Sequence, residues 1–290
     1  MHELIAELTA AGPVVTDGAW GTELQARGLE VGACPDAWNL AHPDRVEEVA
    51  RAYCDAGSQV ILTNTFGATR FMLRRHGLAD QVADINRAGA EISCRAAAGR
   101  ARVFASIGPS GVILMMGETS PEELHDAFAE QAQALAEGGA DAIVVETMSD
   151  PAEAELAVAA ARQTGLPVVA CMTFGSGKDH DRTMMGTTPE EAARRLTEAG
   201  ADVIGSNCGQ GIEGFVAIAR RLRAATDRPL WIKANAGLPK LIEGKTVYAQ
   251  TPAEFASYVP VLVEAGASFL GGCCGTDPEF IRAVKETIAS

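Results

Sequence analysis

Eight short apolar runs, each followed by a longer stretch of helical periodicity, pass along the chain from residue 13 onward. No other feature restricts the fold as strongly. The runs are PVVTD at 13–17, QVILT at 59–63, RVFASI at 102–107, AIVV at 142–145, PVVACMT at 167–173, DVIGS at 202–206, PLWIKA at 229–234 and ASFL at 267–270. Several read as continuous apolar stretches, which is expected of strands buried on both faces of a parallel sheet. Helices are predicted near 43–56, 79–98 and 212–224. Five others are marked at their starts by Ser120-Pro121, Asp150-Pro151, Thr188-Pro189, Thr251-Pro252 and Asp277-Pro278. Each places proline at the first helical turn behind a capping side chain. The phrases DAGSQ (55–59), EGGAD (137–141), EAGAD (198–202) and EAGAS (264–268) recur just ahead of strands. In each, glycine ends a helix and the chain turns directly into the next strand. This is a weak internal repeat of one strand–helix unit.

Eight such units in 290 residues predict a (β/α)₈ TIM barrel, with chemistry at its C-terminal mouth. A doubly wound open sheet is the alternative. No linker-like shift in composition interrupts the series, so one domain over 1–290 is expected. Asp plus Glu outnumber Lys plus Arg by 38 to 24, and the net charge of −14 argues against nucleic-acid or acidic-membrane binding. The start of the chain carries Glu3 and Glu7 and does not resemble a secretion signal, and no stretch is apolar enough to span a membrane. A cytoplasmic protein is expected. Seven cysteines, an odd number, then speak for metal binding or buried thiols over a disulfide scaffold.

The residues just after the strands test the barrel reading. They are Asp17, Gly18 and Ala19 after the first, Asn64 after the second, Glu146 after the fourth, Cys208 after the sixth, Asn235 after the seventh, and Cys273 and Cys274 after the eighth. Polar groups and thiols thus fall where the fold puts chemistry. Cys208, Cys273 and Cys274 come from strands two apart around the ring, and Gly272 and Gly275 permit a turn that aims both neighbouring sulfurs one way. Three thiolates with one open position describe a catalytic zinc site. Cys34, Cys54, Cys94 and Cys171 are expected to be buried core residues. A redox pair is disfavoured, since a vicinal disulfide is strained and no CxxC occurs.

A zinc ion ringed by three thiolates is a poor Lewis acid toward water. It still binds a thiol as thiolate and leaves that sulfur nucleophilic. Alkyl transfer to sulfur is therefore the expected chemistry, and none of the five histidines follows a strand directly to serve as a hydrolytic base. Glu146, at the end of an apolar run, should face the mouth and could bind an ammonium group. Asp17, Gly18 and Ala19 offer backbone N–H groups to a carboxylate. Asn64 and Asn235 are further polar candidates.

The run GGCCGTDPEFI at 271–281 resembles the C-terminal zinc signature of the homocysteine S-methyltransferase family. DGAWGTEL (17–24), TNTF (63–66), IGP (107–109), ETMSD (146–150), NCGQG (207–211) and NAGLP (235–239) are similar as well. DRTMMGTT at 181–188 and the NAGLP run bring the chain nearest the homocysteine-binding module of cobalamin-dependent methionine synthases. The resemblance implies zinc on Cys208, Cys273 and Cys274, and homocysteine held near Glu146 and Asp17. It also implies a methyl donor. These 290 residues hold no corrinoid module: the chain is a fragment of a larger synthase, or it meets a separate methyl-carrying protein, or it uses a small donor, and methylcobalamin on a separate carrier protein is the expected source. A small onium donor such as betaine or S-methylmethionine is the nearest rival, and a non-catalytic thiol- or zinc-binding subunit is another.

Overall fold

The computed structural model describes residues 2–242 and 245–289, so the expected one-domain span begins and ends on residues outside those described. The strands are β1 (Val14–Val15), β2 (Val60–Ile61), β3 (Arg102–Ile107), β4 (Ala142–Met148), β5 (Val168–Met172), β6 (Val203–Gly211), β7 (Leu230–Asn235), a hairpin of β8 (Lys240–Ile242) and β9 (Lys245–Val247), and β10 (Ala267–Gly272). All except the hairpin join one parallel eight-stranded sheet in the order β1-β10-β7-β6-β5-β4-β3-β2. Its two ends meet, because Gln59 N–H donates to the Val15 carbonyl at 2.8 Å and Val15 N–H donates to the Gln59 side chain at 3.0 Å. The result is a nearly closed (β/α)₈ barrel, and the open-sheet alternative is excluded.

The helices form where the caps announce them. Ser120 and Glu123 make a reciprocal capping box ahead of Pro121–Glu137, while Asp150 and Thr188 cap Pro151–Arg162 and Pro189–Glu198. Each such cap is worth about 1 kcal/mol. The repeated glycines all adopt the left-handed conformation, with φ of 99° at Gly57, 92° at Gly139, 95° at Gly200 and 99° at Gly266. A side chain there would be strained, and the helix-to-strand turn would open. The helix expected at Thr251-Pro252 is split into Pro252–Ala256 and Val259–Glu264. Pro260 explains the break, since it has no N–H to offer the Ala256 carbonyl and its ring crowds that carbonyl.

Side chains alternate along the strands, so each strand faces two ways. Val15, Ile61, Val145, Leu230 and Leu270 pack outward against the helices. Val14, Val60, Phe104, Val169, Trp231 and Phe269 fill the barrel interior. There the Trp231 ring lies 6.0 Å from Phe104 and 5.3 Å from Phe269, centroid to centroid. A helix at Glu3–Thr9, which the sequence reading missed, sets the fully buried Ile5 into this interior cluster. The same reading missed short helices at Trp20–Ala26, Trp38–Ala41 and Arg70–Arg74 and the β8–β9 hairpin. Cys54 and Cys171 are buried as expected; Cys34 and Cys94 are only half-buried. Cys94 lies at the edge of Val82–Ala97, where its thiol donates to the Gly139 carbonyl at 3.2 Å. No helix among the described residues is long and apolar enough to cross a membrane.

Candidate metal centre at the barrel mouth

The alternation that turns one face of each strand inward carries on to the strand ends, where the interior becomes polar. In β4, Ala142 and Val144 point inward, so Glu146 does too; in β7, Trp231 is followed inward by Lys233 and Asn235. Six buried polar side chains therefore form a layer above the aromatic cluster: Asp17, Ser106, Glu146, Asn207, Lys233 and Asn235.

Two of these form an ion pair. Lys233 Nζ bonds Asp17 Oδ1, and both are essentially excluded from solvent. The second oxygen of Asp17 accepts from Trp20 Nε1 and from Leu62 N–H, each at 2.7 Å. Burial pulls the Lys233 ammonium down, but Asp17 and Glu146 together outweigh it, leaving the group above its ordinary value and charged. Glu146 accepts from Ser106 Oγ at 2.5 Å and from Asn207 Nδ2 at 3.2 Å. Burial pushes its carboxyl upward despite the opposing charge of Lys233.

Asn207 links this layer to the thiols. It bonds Thr147 twice, accepting from the N–H and donating to Oγ1, both at 2.7 Å, and its amide nitrogen lies 3.9 Å from the Cys273 sulfur. The backbone on either side departs from regular strand. Thr147 has φ of 62° and Cys208 φ of 61°, left-handed values that side-chain-bearing residues seldom adopt. Register breaks accompany them, between Val145 and Met148 and between Asn207 and Gly211. The second break lets β6 run on to Gly211, five residues past its expected end at 206, and re-aims Cys208.

The three expected ligands converge. The Cys208 and Cys274 sulfurs are 3.9 Å apart, and all three sulfurs, with that of Cys273, lie within 4.8 Å of one another. Zinc–sulfur bonds of about 2.3 Å in a tetrahedron require sulfurs about 3.8 Å apart, so the donor set fits zinc. Cys273 and Cys274 donate to Cys208, which holds the Cys208 thiol far below its ordinary value, while the same contacts raise Cys273 and push Cys274 up to about 11. A cation that takes all three as thiolates displaces the thiol protons, so its affinity rises with pH.

The other sequence candidates are placed as follows. Asn235 Oδ1 accepts from Cys274 N–H at 3.1 Å, against the cluster. Gly18 has no room for a side chain, since a Cβ would stand 2.8 Å from the Tyr53 hydroxyl; that hydroxyl donates to the Ala19 carbonyl at 2.7 Å. Asn64 lies apart from the thiols in its hydrogen bonds, donating to the Pro35 carbonyl at 2.8 Å and to Asn39 at 3.0 Å. Ser106, Thr147, Asn207, Lys233 and Tyr248 were not singled out from the sequence. Tyr248, which follows the β8–β9 hairpin, lays its ring where a Cβ on Gly275 would be, 2.2 Å from it, and its phenol bonds Cys274.

As a class, this is a (β/α)₈ barrel that gathers three cysteine sulfurs at its C-terminal mouth, close enough together to hold a metal ion. The sequence profile described as Homocysteine S-methyltransferase matches residues 14–288, and the chain belongs to that family. It is 34% identical over 298 residues to the methionine synthase of Mycobacterium tuberculosis, covering 96% of this chain and 25% of that protein. It is 28% identical over 308 residues to betaine–homocysteine S-methyltransferase 1 of Danio rerio, covering 99% of this chain and 76% of that one. The metallated homocysteine methyltransferase MmuM from Escherichia coli superposes with a TM-score of 0.82 at 25% identity, over 97% of this chain and 99% of that chain. The chain therefore spans about a quarter of the length of the methionine synthases it matches.

Proposed function

We propose that this chain methylates the sulfur of homocysteine to give methionine, with the methyl group supplied by a methylcorrinoid on a separate protein. The observation that carries the reading is the convergence of Cys208, Cys273 and Cys274 within 4.8 Å at the mouth of a barrel of this family. Zinc on these residues would supply an open, electron-rich position that binds a thiol in its deprotonated, nucleophilic form.

The chain's own residues do the rest. Glu146, buried and oriented by Ser106 and Asn207, offers a carboxylate to the substrate ammonium. Asn207 ties that carboxylate to the thiol cluster, so amine and sulfur are held at one fixed separation. The carboxylate of Asp17 is occupied by Lys233, Trp20 and Leu62. The N–H groups of Asp17 and Gly18 in that turn are then left for the substrate carboxylate, since the Ala19 N–H already donates to the Thr276 carbonyl at 3.2 Å. Asn235 steadies Cys274 through its backbone N–H. Asn64 would act indirectly, by tying the loop at Pro35 to the end of β2.

The corrinoid carrier is supported by the rim. Val31, Phe66, Ile113, Met115, Met184 and Leu238 are large, apolar and exposed, and all sit on the connections that lead from one barrel strand towards the next outer helix or hairpin. An apolar ring around a reactive centre suits a macromolecular donor that covers the mouth. The likeness to a betaine-dependent enzyme favours the small-donor reading to a lesser degree. Zinc-loaded protein is to be assayed for methionine formation from homocysteine with methylcobalamin, protein-bound methylcorrinoid, betaine and S-methylmethionine. The expected order is carrier-bound corrinoid, then free methylcobalamin, then the onium donors. Faster turnover with an onium donor reverses the assignment of the donor, and no turnover with any leaves a thiol-binding subunit.

A further inference from the structure

Across the ring from the thiols, the loops after β2 and β3 enclose a groove of about 590 Å³ that the metal centre does not use. Small-ligand sites fall in this size range. Its apolar walls are Phe71, Val112, Ile113 and Met116, and two adjacent guanidiniums, Arg74 and Arg75, line it as well.

Three features make it a formed site. First, Arg75 is seated. Its Nη2 donates to the Gly111 carbonyl at 3.2 Å, and a Cβ on Gly111 would stand 2.5 Å from that nitrogen. Gly111 also has φ of 73°, a conformation that reserves the position for glycine. Second, the floor is fixed. The buried Glu153 accepts from both Ser110 N–H at 2.8 Å and Ser110 Oγ at 2.5 Å, and Ser110 Oγ in turn accepts from Val112 N–H at 3.1 Å. A buried carboxylate is thus committed to the loop that shapes the groove, just beyond the IGP motif of 107–109. Third, the two cations are not engaged in ion pairs. Arg70, one turn earlier, pairs with Glu130, but neither Arg74 nor Arg75 makes an ion pair among the described residues. Arg74 is exposed and lies over the Phe71 ring at 5.6 Å. In a chain of net charge −14 two neighbouring unpaired guanidiniums are an uncompensated feature. The end of the Arg70–Arg74 helix accounts for a basic residue there, but not for a concave apolar wall beside it.

We propose that this groove binds a small organic anion whose carboxylate, sulfonate or phosphate group meets Arg74 and Arg75 while its apolar body lies on Phe71, Val112, Ile113 and Met116. Glu118 and the Thr119 hydroxyl also line the groove. The Glu118 carboxylate lowers its net positive charge and so selects against polyanions. The inference does not rest on the methyl-transfer reading. The anion is either a free ligand or the charged part of a methyl donor, and the two have separable consequences.

The test uses zinc-loaded protein and two dyes of the same ring skeleton that differ by a sulfonate group. One is 1-anilinonaphthalene-8-sulfonate; the other is the neutral N-phenyl-1-naphthylamine, both followed by fluorescence. The wild type should bind the sulfonate at one site and prefer it to the neutral dye. Arg74→Ala with Arg75→Ala should weaken the sulfonate about tenfold, the loss of a charge-assisted contact, and leave the neutral dye unchanged. Gly111→Val should displace Arg75 and act in the same direction. Ile113→Asp should weaken both dyes. Zinc content should stay constant throughout. A rise in KM for methylcobalamin in the double variant, with KM for homocysteine unchanged, assigns the anion to the donor; no change in either assigns it to a separate ligand. Equal affinity for the two dyes, or undiminished sulfonate binding in the double variant, overturns the proposal.

Discussion

Two layers of side chains inside the barrel, two residues apart along the strands, obey different rules. The lower layer is apolar: Phe104, Trp231 and Phe269 meet ring to ring and are fully buried. The upper layer is just as buried and almost wholly polar, with Ser106 above Phe104 and Lys233 above Trp231 on the same strands. The lower layer gains stability from each side chain it holds. The upper one must satisfy every polar group by hydrogen bonding or lose stability. It also tolerates left-handed backbone at Thr147 and Cys208, which costs on the order of 1–3 kcal/mol per residue. Stability is built in one layer and spent on geometry in the next.

The largest effect should come from separating the two at the thiols. Cys208→Ala, Cys273→Ala and Cys274→Ala are each expected to reduce homocysteine methylation to background and to lose zinc, while the melting temperature stays close to that of the unloaded wild type. The sulfurs sit at the mouth, outside both apolar clusters, and contribute little to the core. Cys171→Ala, in the lower layer, should do the opposite: a loss on the order of 1 kcal/mol with zinc retained. Metal analysis alongside thermal melts decides it. Full activity in any mouth variant, or zinc loss in Cys171→Ala, would remove the division between layers.

The Lys233–Asp17 pair lies on the boundary, and it sharpens the comparison. Lys233→Met keeps much of the volume but leaves the Asp17 carboxylate buried with only Trp20 and Leu62 as donors. Removing one partner of a buried pair typically costs about 3–5 kcal/mol. Phe104→Ala should cost a similar amount by leaving a cavity. Asp17→Asn together with Lys233→Met should recover much of the loss, whereas nothing in the upper layer rescues Phe104→Ala. Denaturant unfolding of the three proteins measures this. A double variant no more stable than Lys233→Met would mean that the lysine acts through packing alone.

This division also explains what could be read from the sequence. Helix starts, the four left-handed glycines and the strands of the lower layer are local signals, carried by neighbouring residues such as Ser120 with Glu123. The cysteines were legible because strand ends meet at one mouth in any such barrel. The upper layer is made of contacts between residues far apart in the chain. Asn207 stood inside a recognised motif, yet its bonds to Thr147 and Glu146 span sixty and sixty-one positions. Lys233 did leave a signal, a lone lysine at inward parity in the apolar run PLWIKA, where only a buried counter-charge makes it tenable. Tyr248 left none, since its approach to Gly275 depends on a loop without periodicity.

The smallest effect, and the one that probes the upper layer by itself, is that of Glu146→Gln. Burial raises the Glu146 carboxyl above its ordinary value in the folded protein. A carboxyl raised on folding contributes stability below its unfolded pKa, and that contribution is lost as pH rises through the higher folded value. The wild type should therefore lose stability across that interval, and the glutamine variant should not. Its melting temperature is expected to match the wild type in acid and to exceed it by a few degrees at neutral pH. Ser106 and Asn207 can both remain bonded, because an amide offers one acceptor and one donor and the Ser106 hydroxyl can turn. Homocysteine binding, followed by calorimetry on zinc-loaded protein, should move the other way and weaken, as the ammonium loses its counter-charge. A gain in stability together with a loss of affinity identifies Glu146 as a charge kept buried for its ligand. A loss of both would make it a structural member of the polar layer, with the ammonium bound elsewhere.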